Sequence, residues 1–313
     1  VNGDGYSDVI VGAPYYGALD NGRAYIYYGG SSPDNTADVI MTGEVAYDYF
    51  GYSVSSAGDV NGDGYSDVIV GADDYGASNQ GRAYIYYGGS SMNNTADVIM
   101  TGEATSDWFG ISVSSAGDVN GDGYSDVIVG AYGYSGAAYY QGRSYIYYGG
   151  SPMNNTADVI MTGEAVGDYF GISVSSAGDV NGDGYPDVIV GAYGYSGGGA
   201  YQGRAYIYLF SYSANNTADR NMTGEATNDY FGNSVSSAGD VNGDGYSDVI
   251  VGAYYYGASD NGRAYIYYGG SSINTTADVI MTGEAANDNF GTSVSSAGDV
   301  NGDGYSDVIV GAT

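Results

Sequence analysis

Near-copies of one acidic, glycine-rich string recur along the 313-residue chain, and the second of them, GDVNGDGYSDVIVGA from Gly58 to Ala72, shows what chemistry they offer. Asp59, Asn61, Asp63, the carbonyl of Tyr65 and Asp67 stand at positions 1, 3, 5, 7 and 9 of a loop, with Gly64 at position 6. This is the spacing by which a tight loop wraps oxygen ligands around calcium, the glycine allowing the sharp bend. Position 12 is Val70 rather than a closing Glu, and a β-branched run follows it, so the pattern is a calcium loop on a hairpin rather than an EF-hand. A plain tight turn would also favour Asn-Gly and Asp-Gly. Such a turn needs two of these residues, however, and gives no reason for three carboxylates that repel one another.

One Ca²⁺ per loop is therefore expected. The ligand sets are Asn2, Asp4, Tyr6 and Asp8 in the shortened first copy; Asp59, Asn61, Asp63, Tyr65 and Asp67; Asp118, Asn120, Asp122, Tyr124 and Asp126; Asp179, Asn181, Asp183, Tyr185 and Asp187; Asp240, Asn242, Asp244, Tyr246 and Asp248; and Asp299, Asn301, Asp303, Tyr305 and Asp307. Without a bidentate closing ligand the affinity expected is of the extracellular kind, about 10⁻⁴ M or weaker.

Composition narrows the remaining chemistry. The chain carries 37 acidic residues against six Arg and no Lys, a formal charge of −31, and 17 of the acids belong to the six loops. Nucleic acid and anionic membranes are excluded as partners, because both are held by Lys and Arg. Self-repulsion of this size opposes a compact state unless cations are bound. With no Cys and no His, thiolates, disulfides, imidazole bases and the usual zinc ligands are absent. A Ser-His-Asp triad and a Schiff base are excluded too, leaving a carboxylate pair as the sole conceivable catalytic device. The acids recur in every repeat, whereas an active site would single one out, so an enzyme is not expected. No stretch approaches the twenty apolar residues of a membrane span. Because Val1 falls inside a motif, the chain is taken as a segment of a longer precursor.

The loops must be positioned by strands. VNGDGY begins at Val1, Val60, Val119, Val180, Val241 and Val300, at intervals of 59, 59, 61, 61 and 59 residues. The chain is thus a single repeat array over 1–313, with units at about 1–49 (partial), 50–108, 109–169, 170–230, 231–289 and 290–313 (partial). Within one unit FGYSVSSAGDV, DVIVGA, RAYIYYGG and ADVIMTGE read as four short strands, A to D, in an antiparallel meander joined by turn residues. Four strands cannot bury both faces of their sheet alone, so neighbouring units must stack, as in propeller blades. Strand A, rich in Ser, Ala and Gly, suits a crowded inner position. Strand D, which turns to Arg220 and Asn221 in the fourth unit, suits an outer edge.

Phe50-Gly51 and Gly12-Ala13-Pro14, with GRAYIYYGG as the third strand, resemble the FG-GAP repeat of integrin α-subunit propellers over essentially the whole chain. The resemblance implies an all-β fold of repeated four-stranded blades, with calcium held between strands A and B. Family propellers close with seven blades, whereas five units are present here, and only the first keeps Pro after Gly-Ala. Two arrangements stay open at this point: a closed ring, and an open superhelical array.

Other features repeat as well. N-x-T sequons at Asn93, Asn154, Asn215 and Asn274 fall in the C-to-D loops, and Asn221 adds another, so a glycoprotein is expected with metal and glycans on one rim. The opposite rim carries variable, Tyr-rich B-to-C loops, whose 39-Tyr chain composition is read as packing between blades, with exposed rings free to stack on sugars or an adjacent subunit. Arg23, Arg82, Arg143, Arg204 and Arg263 open strand C and are expected to pair with a repeated acid such as Glu44 or Asp48. Together these readings describe an extracellular or cell-surface, calcium-binding structural repeat protein, self-associating in a filament or stalk. The alternative is an integrin-like adhesion propeller with a protein ligand.

Overall fold

The computed structural model describes residues 1–136, 139–211 and 215–313. Among these residues the chain forms six antiparallel sheets. The first holds β1 (Val9–Ala13), β2 (Arg23–Tyr27) and β3 (Val39–Thr42). The second holds β4 (Val54–Gly58), β5 (Asp67–Ala72), β6 (Arg82–Tyr86) and β7 (Val98–Thr101), and the third β8 (Val113–Gly117), β9 (Asp126–Ala131), β10 (Arg143–Tyr147) and β11 (Val159–Thr162). The fourth comprises β12 (Ser173–Gly178), β13 (Asp187–Ala192), β14 (Arg204–Tyr208) and β15 (Arg220–Thr223). The fifth comprises β16 (Ser234–Gly239), β17 (Asp248–Ala253), β18 (Arg263–Tyr267) and β19 (Val279–Thr282), and the sixth β20 (Ser293–Gly298) and β21 (Asp307–Gly311).

Each sheet is a meander in chain order. Strand B is DVIVGA, whose β-branched residues are buried on both faces in β5, β9, β13 and β17, because every central sheet is covered on two sides. Alternation sorts the side chains. From the third sheet Ile128, Ile146 and Met161 face the fourth, where they meet Phe170, Val188, Val190, Tyr206 and Tyr208. The same set recurs between the second and third sheets and between the fourth and fifth. Fully burying one such Ile or Val is worth about 1.5–3 kcal/mol. Phe170 seats the junction, edge-on to Tyr206 with centroids 5.3 Å apart.

The A strands lie next to one another, as their small side chains require. Ala57, Ala116, Ala177 and Ala238 are fully buried there, and the Val113 amide donates to Ser53 Oγ across the sheet boundary at 3.0 Å. A bulge between Ser56 and Gly58, repeated in each A–B pair, carries the chain into the acidic loop. At the outer edge Asn221 is exposed, while Arg220 Nε reaches across to the Ile273 carbonyl at 2.8 Å.

The stack does not close. Val9 and Val11 on β1 are 57% and 45% exposed, and Ile309 on β21 is 62% exposed, whereas their counterparts Val68, Val70 and Ile69 are 2%, 0% and 0% exposed. The first and sixth sheets therefore do not cover one another. Of the two arrangements compatible with the sequence, the fold is the open, propeller-like array.

Candidate metal loops and the opposite aromatic rim

The loop between β4 and β5 is built around Asp59. Its Oδ1 accepts from the amides of Gly62 (2.7 Å) and Asp63 (3.1 Å), and its Oδ2 from Gly64 (2.9 Å). Asn61 Oδ1 accepts from the Asp63 amide at 2.8 Å, and Asp63 Oδ1 from the Tyr65 amide at 3.0 Å. Gly64 makes the bend at φ 89°, a left-handed conformation that any other residue would strain to adopt. The same bonds form around Asp179 and Asp240, around Asp299, and with one fewer around Asp118.

Asp67 sits deeper. It is fully buried, its Oδ2 accepting from Val60 (2.9 Å) and its Oδ1 from Gly88 (2.7 Å) at the start of the C–D loop. The A–B and C–D loops therefore lie on one rim, as their order in a meander requires. Burial pushes the Asp67 carboxyl up to about 6 and those of Asp126 and Asp187 up to about 7; the two amides oppose this, and the neighbouring loop carboxylates, Asp63 and Asp59 in the first case, add to it.

The structure brings position 1, position 3 and position 5 together through shared amides and places position 9 within their electrostatic reach. It does not gather three carboxylates closely enough to hold a metal ion in any group among the described residues. Asn61 Nδ2 points at Asp63 Oδ2 (3.0 Å), so these side chains serve one another and the backbone. In chemical type the donor set remains that of a calcium site: exposed carboxylate and amide oxygens on a glycine-bent loop over a buried carboxylate. In the shortened first copy Asp4 and Asn2 keep their turn bonds, and Asp8 accepts from the Gly29 amide (2.8 Å) and faces the Val1 amine (3.3 Å).

The loops are also nested, which spacing alone does not reveal. The ring of Tyr124 lies where a Cβ on Gly62 would be, 2.6 Å from its Cε1, and Tyr185, Tyr246 and Tyr305 lie over Gly121, Gly182 and Gly243 in the same way. The Ser125 amide donates to the Asp59 carbonyl at 3.0 Å, repeated at Ser247–Asp179 and Ser306–Asp240. Each position-7 Tyr thus packs on the preceding loop.

Asn93, Asn154 and Asn274 are exposed on this rim, their Oδ1 accepting from the Thr amide two residues on at 2.7 Å. Asn215 accepts likewise from the Thr217 amide at 2.9 Å and also commits its Nδ2 to Asp219 at 2.8 Å. The Arg side chains cross between sheets: Arg82 pairs with Glu44 (2.8 Å), Arg143 with Glu103 (2.9 Å), Arg204 with Glu164 (3.0 Å) and Arg263 with Glu225 (3.0 Å). The second acid considered, Asp48, is buried and takes the Val45 amide at 2.7 Å.

On the opposite rim the Tyr residues form a ladder. Trp108 stacks on Tyr132 (5.3 Å) and Tyr140 (5.9 Å), Tyr140 on Tyr169 (5.1 Å), Tyr169 on Tyr193 (4.9 Å) and Tyr193 on Tyr230 (5.5 Å). Beside Trp108 lie Asp73 and Asp74, each with a buried Oδ1 that has no hydrogen-bond partner. Burial, then the charge of Asp74, pushes the Asp73 carboxyl up to about 7. This feature belongs to one repeat, and reading the repeats for shared residues passed over it.

No helix of the described residues is long and apolar enough to cross a membrane. Comparison with known proteins agrees with the architecture. The FG-GAP repeat family matches residues 1–27, 50–86, 109–147, 170–208, 231–267 and 290–313, more than half of the chain. The chain is 33% identical to integrin alpha-5 of Xenopus laevis over 222 residues, 66% of this chain and 20% of that protein. It is 35% identical to integrin alpha-PS2 of Drosophila melanogaster over 212 residues, 61% of this chain and 14% of that protein. With integrin alpha-IIb of Mus musculus it shares 36% over 154 residues, 46% of this chain and 15% of that protein. It thus spans a fifth or less of the length of these relatives. Six matched repeats on six stacked sheets lead to one assignment: the chain belongs to the FG-GAP repeat family, as an integrin-like, propeller-type protein of the extracellular or cell-surface class.

Proposed function

We propose that this chain is a calcium-stiffened structural repeat, a length of surface filament or stalk whose sheets are locked to one another through their acidic loops. The observation that carries the reading is the nesting: each position-7 Tyr packs on the preceding loop, and the Asp59, Asp179 and Asp240 carbonyls accept an amide from the next. An ion held by Asp59, Asn61, Asp63, the Tyr65 carbonyl and Asp67 would offset carboxylate repulsion in one loop and thereby order a junction between two sheets. Sequons at Asn93, Asn154 and Asn274 on the same rim suit a glycosylated outer surface. Catalysis has no part in this reading, since the family relatives are integrin subunits and the chain has no His, Cys or Lys.

Thermal melting with calcium and after chelation tests it. Ions that bind only the folded loops stabilise by about 2.7 kcal/mol per site at a hundredfold excess over Kd. A melting temperature that rises with calcium, and a rise lost progressively as Asp59, Asp118 and Asp179 are each changed to Ala, is the expected result. Equal melting in calcium and in chelator would refute the reading. The integrin relatives favour a second reading, adhesion to a protein ligand, and the cluster of Asp73 and Asp74 on the β5–β6 loop with Trp108 on the β7–β8 linker is the kind of unshared feature such a role needs.

A further inference from the structure

We propose that the B–C rim carries a binding site for a neutral saccharide, in the cleft between the 226–230 linker that leaves β15 and the 255–260 loop that follows β17. The cleft measures 690 Å³ and lies on the rim away from the candidate metal loops. One wall is aromatic. Tyr230, at the end of the ladder, is parallel to Tyr201 within 6° at 5.1 Å, and Tyr255 stands across it at 75° and 5.0 Å, 37% exposed. Both rings are thus fixed by neighbours before any ligand arrives, which keeps the entropy lost on binding small.

The other wall is polar and uncommitted. Thr227, Asn228 and Asp260 line the cleft, and among the described residues their side chains make no hydrogen bond to the protein. Their backbones, by contrast, are pinned: the Asn228 amide donates to the Ala200 carbonyl (2.9 Å) and the Asn289 amide to the Asp260 carbonyl (3.1 Å). A hydroxyl, an amide and a carboxylate held beside a standing aromatic ring are what a sugar needs. Its C–H face packs on the ring while its hydroxyls bond the polar groups.

Other ligand classes fit less well. The −31 charge and absence of Lys disfavour an anion. A cation would find one free carboxylate, Asp260, because the second acid of the cleft, Asp229, is 2% exposed and already accepts from the Ala226 amide at 2.6 Å. A wholly apolar ligand would leave the three polar side chains unpaired. A cleft of the same make, 510 Å³, opens between the second and third sheets, where Tyr139, 68% exposed, stands at 85° to Tyr140. There Glu103 is paired with Arg143, and Asp107 is buried and accepts from the Ala104 amide, which again favours a neutral ligand.

The test is titration of the whole chain with mannotriose, cellotriose and chitotriose, followed by calorimetry and ligand-observed NMR, with tri-arginine as the cationic competitor. The expected result is binding of at least one trisaccharide at about millimolar Kd. Tyr255→Ala should weaken it at least tenfold and Tyr255→Phe should retain it, while Ser271→Ala, exposed on the far rim, leaves it unchanged. Tyr255 is partly exposed, and circular dichroism and melting of Tyr255→Ala verify that the fold persists. Absence of binding by every trisaccharide up to about 10 mM would overturn the proposal. So would binding that ignores Tyr255→Ala, or displacement by tri-arginine. Calcium dependence of the melting temperature is read separately, so failure here leaves the structural reading standing.

Discussion

A carboxylate stripped of water without full replacement of its hydrogen bonds makes stability depend on pH, and Asp73 is placed to do so. It faces Asp74 and the phenols of Tyr52, Tyr49 and Tyr132, and its proton affinity is raised to about 7 from 3.8. The folded chain therefore holds this proton more tightly than the unfolded chain does. The stability that Asp73 contributes is full below pH 3.8 and is lost as pH rises through about 7. Asp73→Asn should flatten that decline and raise the unfolding free energy at neutral pH, measured by denaturant unfolding across the range. A steeper decline in the variant would contradict the assignment. Much at this scale was legible: the loop spacing located Asp59, Asn61 and Asp63, which do share amides. That Asp67 is buried with both oxygens on amides was not, because the Gly88 donor lies 21 residues away, at the start of the C–D loop. The Asp73–Asp74 pair was missed because repetition was the signal being read, and this pair is not repeated.

At the level of strands and loops, the cross-sheet Arg joins two sheets through three separate contacts. Arg143 pairs with Glu103, donates from Nε to Thr162 Oγ1 at 3.1 Å and lies 3.7 Å from the centroid of Tyr134. The ion pair is partly exposed and worth at most about 1 kcal/mol. The cation–π contact adds about 0.5–1 kcal/mol and the aliphatic stem adds packing. Arg143→Ala should therefore cost more in urea unfolding than Glu103→Ala, by about 1 kcal/mol, because only the first removes all three contacts. Equal losses would show that the ring and Thr162 contribute nothing. Strand identity and order were readable here, since DVIVGA and RAYIY carry β-branched and aromatic residues between turn signals. The Tyr ladder was not, since whether Tyr169 meets Tyr140 or Tyr193 depends on how loops of adjacent sheets lie together.

Over the whole molecule, each sheet touches its neighbours along the stack, so stability is close to a sum of sheet and junction terms. The weakest junction then decides how the array comes apart. Phe170→Ala, at a fully buried junction in the middle, should cost about 3–5 kcal/mol. It should also split the calorimetric transition into two. Phe290→Ala, at the partly covered last junction, should cost less and leave the main transition intact. A single cooperative transition in the Phe170 variant would argue against nearest-neighbour coupling. Stacking was readable from the period, but openness was not: it rests on Val9, Val11 and Ile309 standing uncovered, a matter of curvature that no local string encodes.

The nested Gly–Tyr contacts carry a consequence for how this scaffold can be altered. Lengthening an A–B loop by a single residue would displace both the ring it places on one neighbour and the glycine it offers to the other, disturbing two junctions at once. The B–C side already absorbs two additional residues in the third and fourth units, 109–169 and 170–230, with β13 and β14 still in register. Engineered segments, tags or epitopes accordingly belong on the tyrosine side, where the chain has room to change length without altering the advance from sheet to sheet.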